Sequence, residues 1–70
     1  MDITVLIRMA NDIANYFEAN PDRAQAEREI AAHLKSFWDP SMRRQLVEHV
    51  AAGGACLHAS VVQAVRQMEH

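Results

Sequence analysis

The residues Ile3 to Glu18 read ITVLIRMANDIANYFE, and their apolar and polar positions separate cleanly when set at about 100° per residue. Ile3, Val5, Leu6, Ile7, Met9, Ala10, Ile13, Ala14, Tyr16 and Phe17 cover an arc of roughly 200°, and Thr4, Arg8, Asn11, Asp12, Asn15 and Glu18 fill the remainder. The pattern predicts an amphipathic helix. Its apolar arc is wider than one neighbouring helix covers, so this helix is either central to the fold or turned in part toward another protein.

A second helix is expected to begin at Asn20-Pro21, a capping residue followed by the imino acid that suits the first helical position. Its stripe is narrower: Ala26, Ile30, Leu34 and Phe37, with Trp38 at the margin. Asp22, Gln25, Arg28, Glu29, Lys35 and Ser36 point to solvent, giving an outer helix laid on the first. The run HLKSFWDPSMRRQL (33–46) then stops one helix at the only tryptophan and restarts the next at Asp39-Pro40. Phe37 and Trp38 therefore sit at a tight helix–helix corner, with Arg43 and Arg44 projecting from the turn that follows.

The third helix, Pro40 to about Ala52, carries Met42, Leu46, Val47 and Val50 on its apolar side, with Arg43 between Val47 and Val50 on the wheel. Arg44 and Glu48 face away and are spaced as an i,i+4 pair. Gly53-Gly54 ends this helix, because glycine takes the left-handed conformation after a helix without strain. A last segment, about Ala59 to Gln67, buries Val61, Val62, Ala64, Val65 and Met68; it lacks a strong start signal, although Ser60 can help. The expected fold is all-α: a small bundle of three to four short helices forming a single helical domain over residues 1–70.

Seventy residues place the domain near the size at which one core only marginally offsets chain entropy. An internal disulfide is excluded, since Cys56 is the only cysteine, and a single thiol fits a reducing compartment. The net charge of −2 provides no field for gathering nucleic acid or anionic lipid. No run approaches the roughly 20 apolar residues of a membrane span. The start MDITVLIRMAND lacks the basic residues and cleavage site of an export signal, so a cytoplasmic location is expected.

Four histidines and a cysteine raise the question of a metal, but Cys56, His58, His49 and His33 show no zinc-like spacing. No metal ligand is assigned; His33 is read as lining the edge of a core stripe and His70 as a mobile end. Cys56 has histidines near it in sequence, but a bundle this small offers little room for a pocket, so it reads as a small buried residue and no catalytic residue is assigned. Gly53-Gly54 is a helix cap, not a phosphate loop. A helix-turn-helix DNA reader needs a basic cluster, and the third helix offers only Arg44, Gln45 and Glu48 outward in an acidic chain. The corner aromatics either plug the end of the core or anchor a partner. Arg43 either pairs with Asp39 and lays its stem over Val47, or carries a charge meant for a partner.

The order Ile7-Arg8-Met9-Ala10-Asn11-x-Ile13-Ala14-x-x-Phe17, Pro21, Ile30-Ala31-x-His33-Leu34-x-x-Phe37-Trp38-x-Pro40-x-Met42-Arg43 and Gly53-Gly54-x-x-Leu57 resembles the delta subunit family of soluble NAD-dependent formate dehydrogenases. The resemblance spans about Ile3 to Met68. It departs near the end, where similar proteins tend to carry glycine at the position of Cys56 and proline at that of Ala59. It implies a non-catalytic accessory subunit that aids assembly, stability or molybdenum-cofactor insertion. Its implied partner is the molybdenum-containing catalytic subunit. The implied complex uses a molybdenum cofactor, iron–sulfur clusters, FMN and NAD, none of them in this chain. Phe37, Trp38, Pro40, Met42 and Arg43 are expected at the centre of the partner-binding surface, with Arg8 and Asn11 from the first helix beside them. Self-association of the isolated chain is a further expectation. Without the resemblance, the same residues fit a generic helical adaptor or self-associating regulator, and less well a small DNA-binding regulator.

Overall fold

Three helices begin on an aspartate. Asp2, Asp22 and Asp39 each hold an extended backbone, and their carboxylates accept from the amides of Thr4, Gln25 and Met42 at 3.0, 3.2 and 2.9 Å. These bonds satisfy first-turn donors that have no partner within the helix. The computed structural model describes residues 2–68 and contains α1 (Ile3–Phe17), α2 (Arg23–Phe37), α3 (Pro40–Ala51) and α4 (Ala59–Met68). His70, expected to be a mobile end, lies outside the described residues. The fold is all-α.

The start of α2 falls later than Asn20-Pro21. The Asn20 side chain accepts instead from the amide of Asp22 at 2.9 Å, closing a turn that leaves Pro21 outside the helix. Asp22 then supplies the cap. The break between α2 and α3 lies where Trp38, with φ −88° and ψ 138°, leaves the helical conformation and Pro40 takes the first position of α3.

At the end of α3 the amide of Gly54 donates to His49 O at 2.9 Å and that of Gly53 to Val50 O at 3.0 Å. This is the paired closure of a Schellman motif, with Gly53 at φ +125°. A Cβ on Gly54 would lie 3.2 Å from Val62 Cγ2, so the loop also passes close to α4 there. The next turn is closed by Leu57 N donating to Gly54 O at 3.2 Å, and its third residue, Cys56, has φ +67°. That position favours glycine in a type II-like turn, and it is where the resemblance leads one to expect glycine. Cys56 is exposed, contrary to the buried place expected for it, because Leu57 is the loop residue that packs against the core. Cys56→Gly should raise stability by about 0.5–1 kcal/mol, the relief of a left-handed L-residue less the added entropy of unfolded glycine. A thermal melt that rises by a few degrees is the expected result; an unchanged or lower midpoint contradicts it.

Leu6, Ile30, Leu34, Leu46, Val61 and Val65 are all but fully buried and form the centre of the core. Ala10 and Ala14 of α1, Ala26 of α2 and Ala64 of α4 are equally inaccessible, and these small residues let the helix axes approach. The expected picture of α2 as an outer helix on α1 needs correction. The most extensive packing of α2 is against α4, with α1 second, while α3 packs on α1 and α4. Val61, Ala64 and Val65 of α4, all fully buried, form the inner face that the narrow stripe of α2 fits.

Candidate functional site

The broad apolar arc of α1 is more than the fold consumes. Leu6, Ala10 and Ala14 face inward, and Ile3, Met9, Ile13 and Phe17 are partly covered. Val5 remains 40% exposed and Tyr16 76% exposed. On the neighbouring helix Phe37 is 75% exposed. An aromatic ladder connects the two helices: Tyr16 meets Phe17 edge-on at 5.1 Å between centroids, Phe17 meets His33 at 6.1 Å, and His33 lies 4.6 Å from Phe37. His33 and Phe37 meet because residues four apart share a helical face.

Two open depressions follow this ladder. One, of ≈ 300 Å³, lies among Ile13, Tyr16, Phe17 and His33. The other, of ≈ 400 Å³, lies among Met9, Ile13, Phe37, Trp38 and Met42. Both are also bordered by Asp12, and His33 belongs to each, so they form one continuous face. The first-helix arc and the corner aromatics, separate in the sequence, are thus brought together.

The expected binding residues are distributed unevenly over this face. Phe37 projects from it and Met42 is half-buried in its wall. Trp38 is 5% exposed, a core residue that borders the second depression. Pro40 is exposed but lines neither depression, and Arg8 is likewise exposed and apart from them. Arg43 forms no ion pair with Asp39. Its Nη1 donates to Lys35 O at 3.1 Å and to Trp38 O, so it ties α3 to the last carbonyls of α2. A cation at a helix C-terminus is favoured there by unpaired carbonyls and the helix dipole. Asn11 holds the loop before α4: its Nδ2 donates to Cys56 O at 2.9 Å and its Oδ1 accepts from His58 N at 3.0 Å. Asp12, Tyr16 and His33 were not singled out from the sequence as binding residues. The only signals there were the surplus of the apolar arc and the i,i+4 spacing of His33 and Phe37.

A second polar cluster joins the end of α1 to the start of α4. Glu18 accepts from the Ser60 hydroxyl and lies 3.4 Å from His58 Nδ1. Glu18 and Ser60 border a cleft of ≈ 380 Å³ that Asn20, Pro21 and Arg23 also line. The hydrogen bond from Ser60 holds the Glu18 carboxyl below its ordinary range. Desolvation opposes this, and the hydrogen bond and charge of His58 and the charge of Arg23 reinforce it. Ser60 is 2% exposed and its proton already points to a carboxylate, so the cluster anchors α4 and presents no nucleophile. The start of α4, weakly marked in sequence, is fixed by this long-range contact.

A carboxylate with a lower pKa folded than unfolded stabilises the fold when ionised. That contribution is complete above the unfolded carboxylate range and is lost as pH falls through the folded value. Glu18→Gln should therefore lower the melting temperature at neutral pH and flatten its decline between about pH 5 and pH 3. Melts of both proteins across that range provide the measurement; parallel curves contradict the assignment.

Among the described residues no group of three His, Cys, Asp or Glu side chains converges as a metal site would require, and no helix is long and apolar enough to cross a membrane. In comparisons with known proteins, residues 5–65 match the family described as NADH-dependent formate dehydrogenase delta subunit FdsD. No curated protein and no solved structure matches the chain.

Proposed function

The chain belongs to the family of NADH-dependent formate dehydrogenase delta subunits over residues 5–65, and on that footing we propose that it is a non-catalytic accessory subunit bound to the molybdenum-containing catalytic subunit of a cytoplasmic enzyme. It supports the assembly or stability of that subunit, or insertion of its molybdenum cofactor. Formate oxidation and NAD reduction are carried by molybdenum cofactor, iron–sulfur clusters and FMN in the other subunits. This chain contributes a surface.

The observation that carries this reading is the continuous apolar face between α1 and α2. Isolated exposed apolar side chains are ordinary on a protein surface. Here Tyr16 and Phe37, each about three-quarters exposed, instead flank two joined depressions with partly covered Met9, Ile13 and Met42 between them. A contiguous apolar patch rimmed by polar groups is the usual mark of a protein-binding surface. The polar clusters at Asn11, Glu18 and Arg43 are engaged within the chain, so they add rigidity to the surface and no reactive group.

The role is tested by producing the formate dehydrogenase subunits with and without this chain. Expected without it is a catalytic subunit of lower yield, lower molybdenum content or lower heat stability, measured by metal analysis and formate-dependent NAD reduction. Equal yield, metal content, stability and activity in both preparations would overturn the proposal.

A further inference from the structure

We infer that the α1–α2 face receives an amphipathic segment of the formate dehydrogenase whose apolar side chains flank one arginine or lysine, and that this cation seats on Asp12. The inference rests on the accessory-subunit reading and names the chemistry of the partner at its surface.

Asp12 occupies the place where the two depressions join, bordering both. Among the described residues no cation pairs with its carboxylate. Among the described residues the ion pairs are Arg23 with Glu27 and Glu18 with His58, while Arg43 is bound to main-chain carbonyls. Arg8, one turn before Asp12 on α1, forms no ion pair with it. An occupant that covered Ile13, Phe37 and Met42 would take Asp12 out of water with them. An uncompensated charge in such a place is costly, whereas a charge met by a hydrogen-bonded cation is not. The partner must therefore bring a cation between its apolar anchors.

Arginine fits better than lysine. Its planar guanidinium pairs with a carboxylate through two parallel bonds and also stacks on aromatic faces. His33, Phe37 and Tyr16 offer such faces around Asp12. The two depressions in line suit a helix that presents anchors at successive turns, the helix-in-groove mode.

The same acid argues against a second copy of this chain as the occupant. A two-fold interface sets a patch against itself, so it would bring two Asp12 carboxylates together in a dehydrated centre. Anionic lipid and nucleic acid meet the same repulsion.

The test uses the full chain and the purified remaining formate dehydrogenase subunits, with binding followed by calorimetry or surface capture. Asp12→Arg reverses the charge, Phe37→Ser removes an exposed anchor, and Glu48→Arg makes an equal charge change on an exposed residue that lines neither depression. All three sites are exposed, and circular dichroism melts verify that each variant folds like the parent. Expected are losses of at least tenfold for Asp12→Arg and for Phe37→Ser, with Glu48→Arg within about twofold of the parent. Parent-like binding by either of the first two variants, with the parent itself bound, overturns the inference and leaves the accessory reading standing. Failure of the parent to bind overturns the accessory reading itself. A parent dimer in sedimentation that Phe37→Ser dissolves would place a second copy on this face and overturn the inference as well.

Discussion

Trp38→Ala should leave the chain without a cooperative melt. The indole is 5% exposed and packs in the central cluster with residues of all four helices. Truncating a buried tryptophan costs about 3–5 kcal/mol. A domain of 70 residues has a total stability of only about 3.5–10 kcal/mol at 0.05–0.15 kcal/mol per residue. The loss is therefore from about a third to the whole of that stability. Far-UV circular dichroism should show reduced helix at 25 °C and a broad or absent transition, whereas Trp38→Phe should retain a transition at lower temperature. An alanine variant that melts within a few degrees of the parent would mean that the indole does not close the core. Any binding lost by Trp38→Ala then reports unfolding, and the exposed Phe37 beside it is the residue on which to probe an interface.

Arg43→Ala should destabilise the free chain by about 1–2 kcal/mol, the lower part of the range for hydrogen bonds to charged groups because the side chain is only half-buried. From sequence, Arg43 reads either as the partner of Asp39 with its stem over Val47 or as a charge meant for a partner, and neither reading places it on the end of α2. In the structure its guanidinium bonds Lys35 O and Trp38 O, carbonyls at the end of α2 that lack helical partners. The bond to Trp38 O also fixes the corner from which the indole turns inward. For a domain of this size the melting temperature should fall by roughly 5–12 °C. Arg44→Ala, on the exposed side of the same turn, should shift it by less than about 2 °C. Equal melts for the two variants would contradict a capping role for Arg43.

Much of this was legible because it is local chemistry. Asp39-Pro40 and Gly53-Gly54 fix the bounds of α3 through bonds to residues within a turn or two, and the period of α1 needs no tertiary information. The start of α2 was misplaced because Asn20 and Asp22 both have capping side chains two residues apart, and only the turn between them decides which one caps the helix. α4 was poorly marked for a different reason: its first turn is held by Glu18 and Asn11, more than forty positions away. The surface shows the same division. The width of the α1 arc revealed a surplus of apolar side chains, but not which of them would remain outside. That depends on α4 taking the inner side of α2, a non-local choice. Nor do adjacent Phe37 and Trp38 declare which turns inward, since the extended backbone at Trp38 settles it.

The most direct measurement is the composition and native mass of what a tagged version of this chain carries with it from cells that produce the whole formate dehydrogenase. An accessory subunit predicts that the 7.9 kDa chain elutes as part of a larger particle containing the molybdenum catalytic subunit, and that the association survives moderate salt because apolar contacts dominate it. Recovery of the chain by itself, as a multimer of itself, or in a particle lacking the catalytic subunit would contradict that prediction.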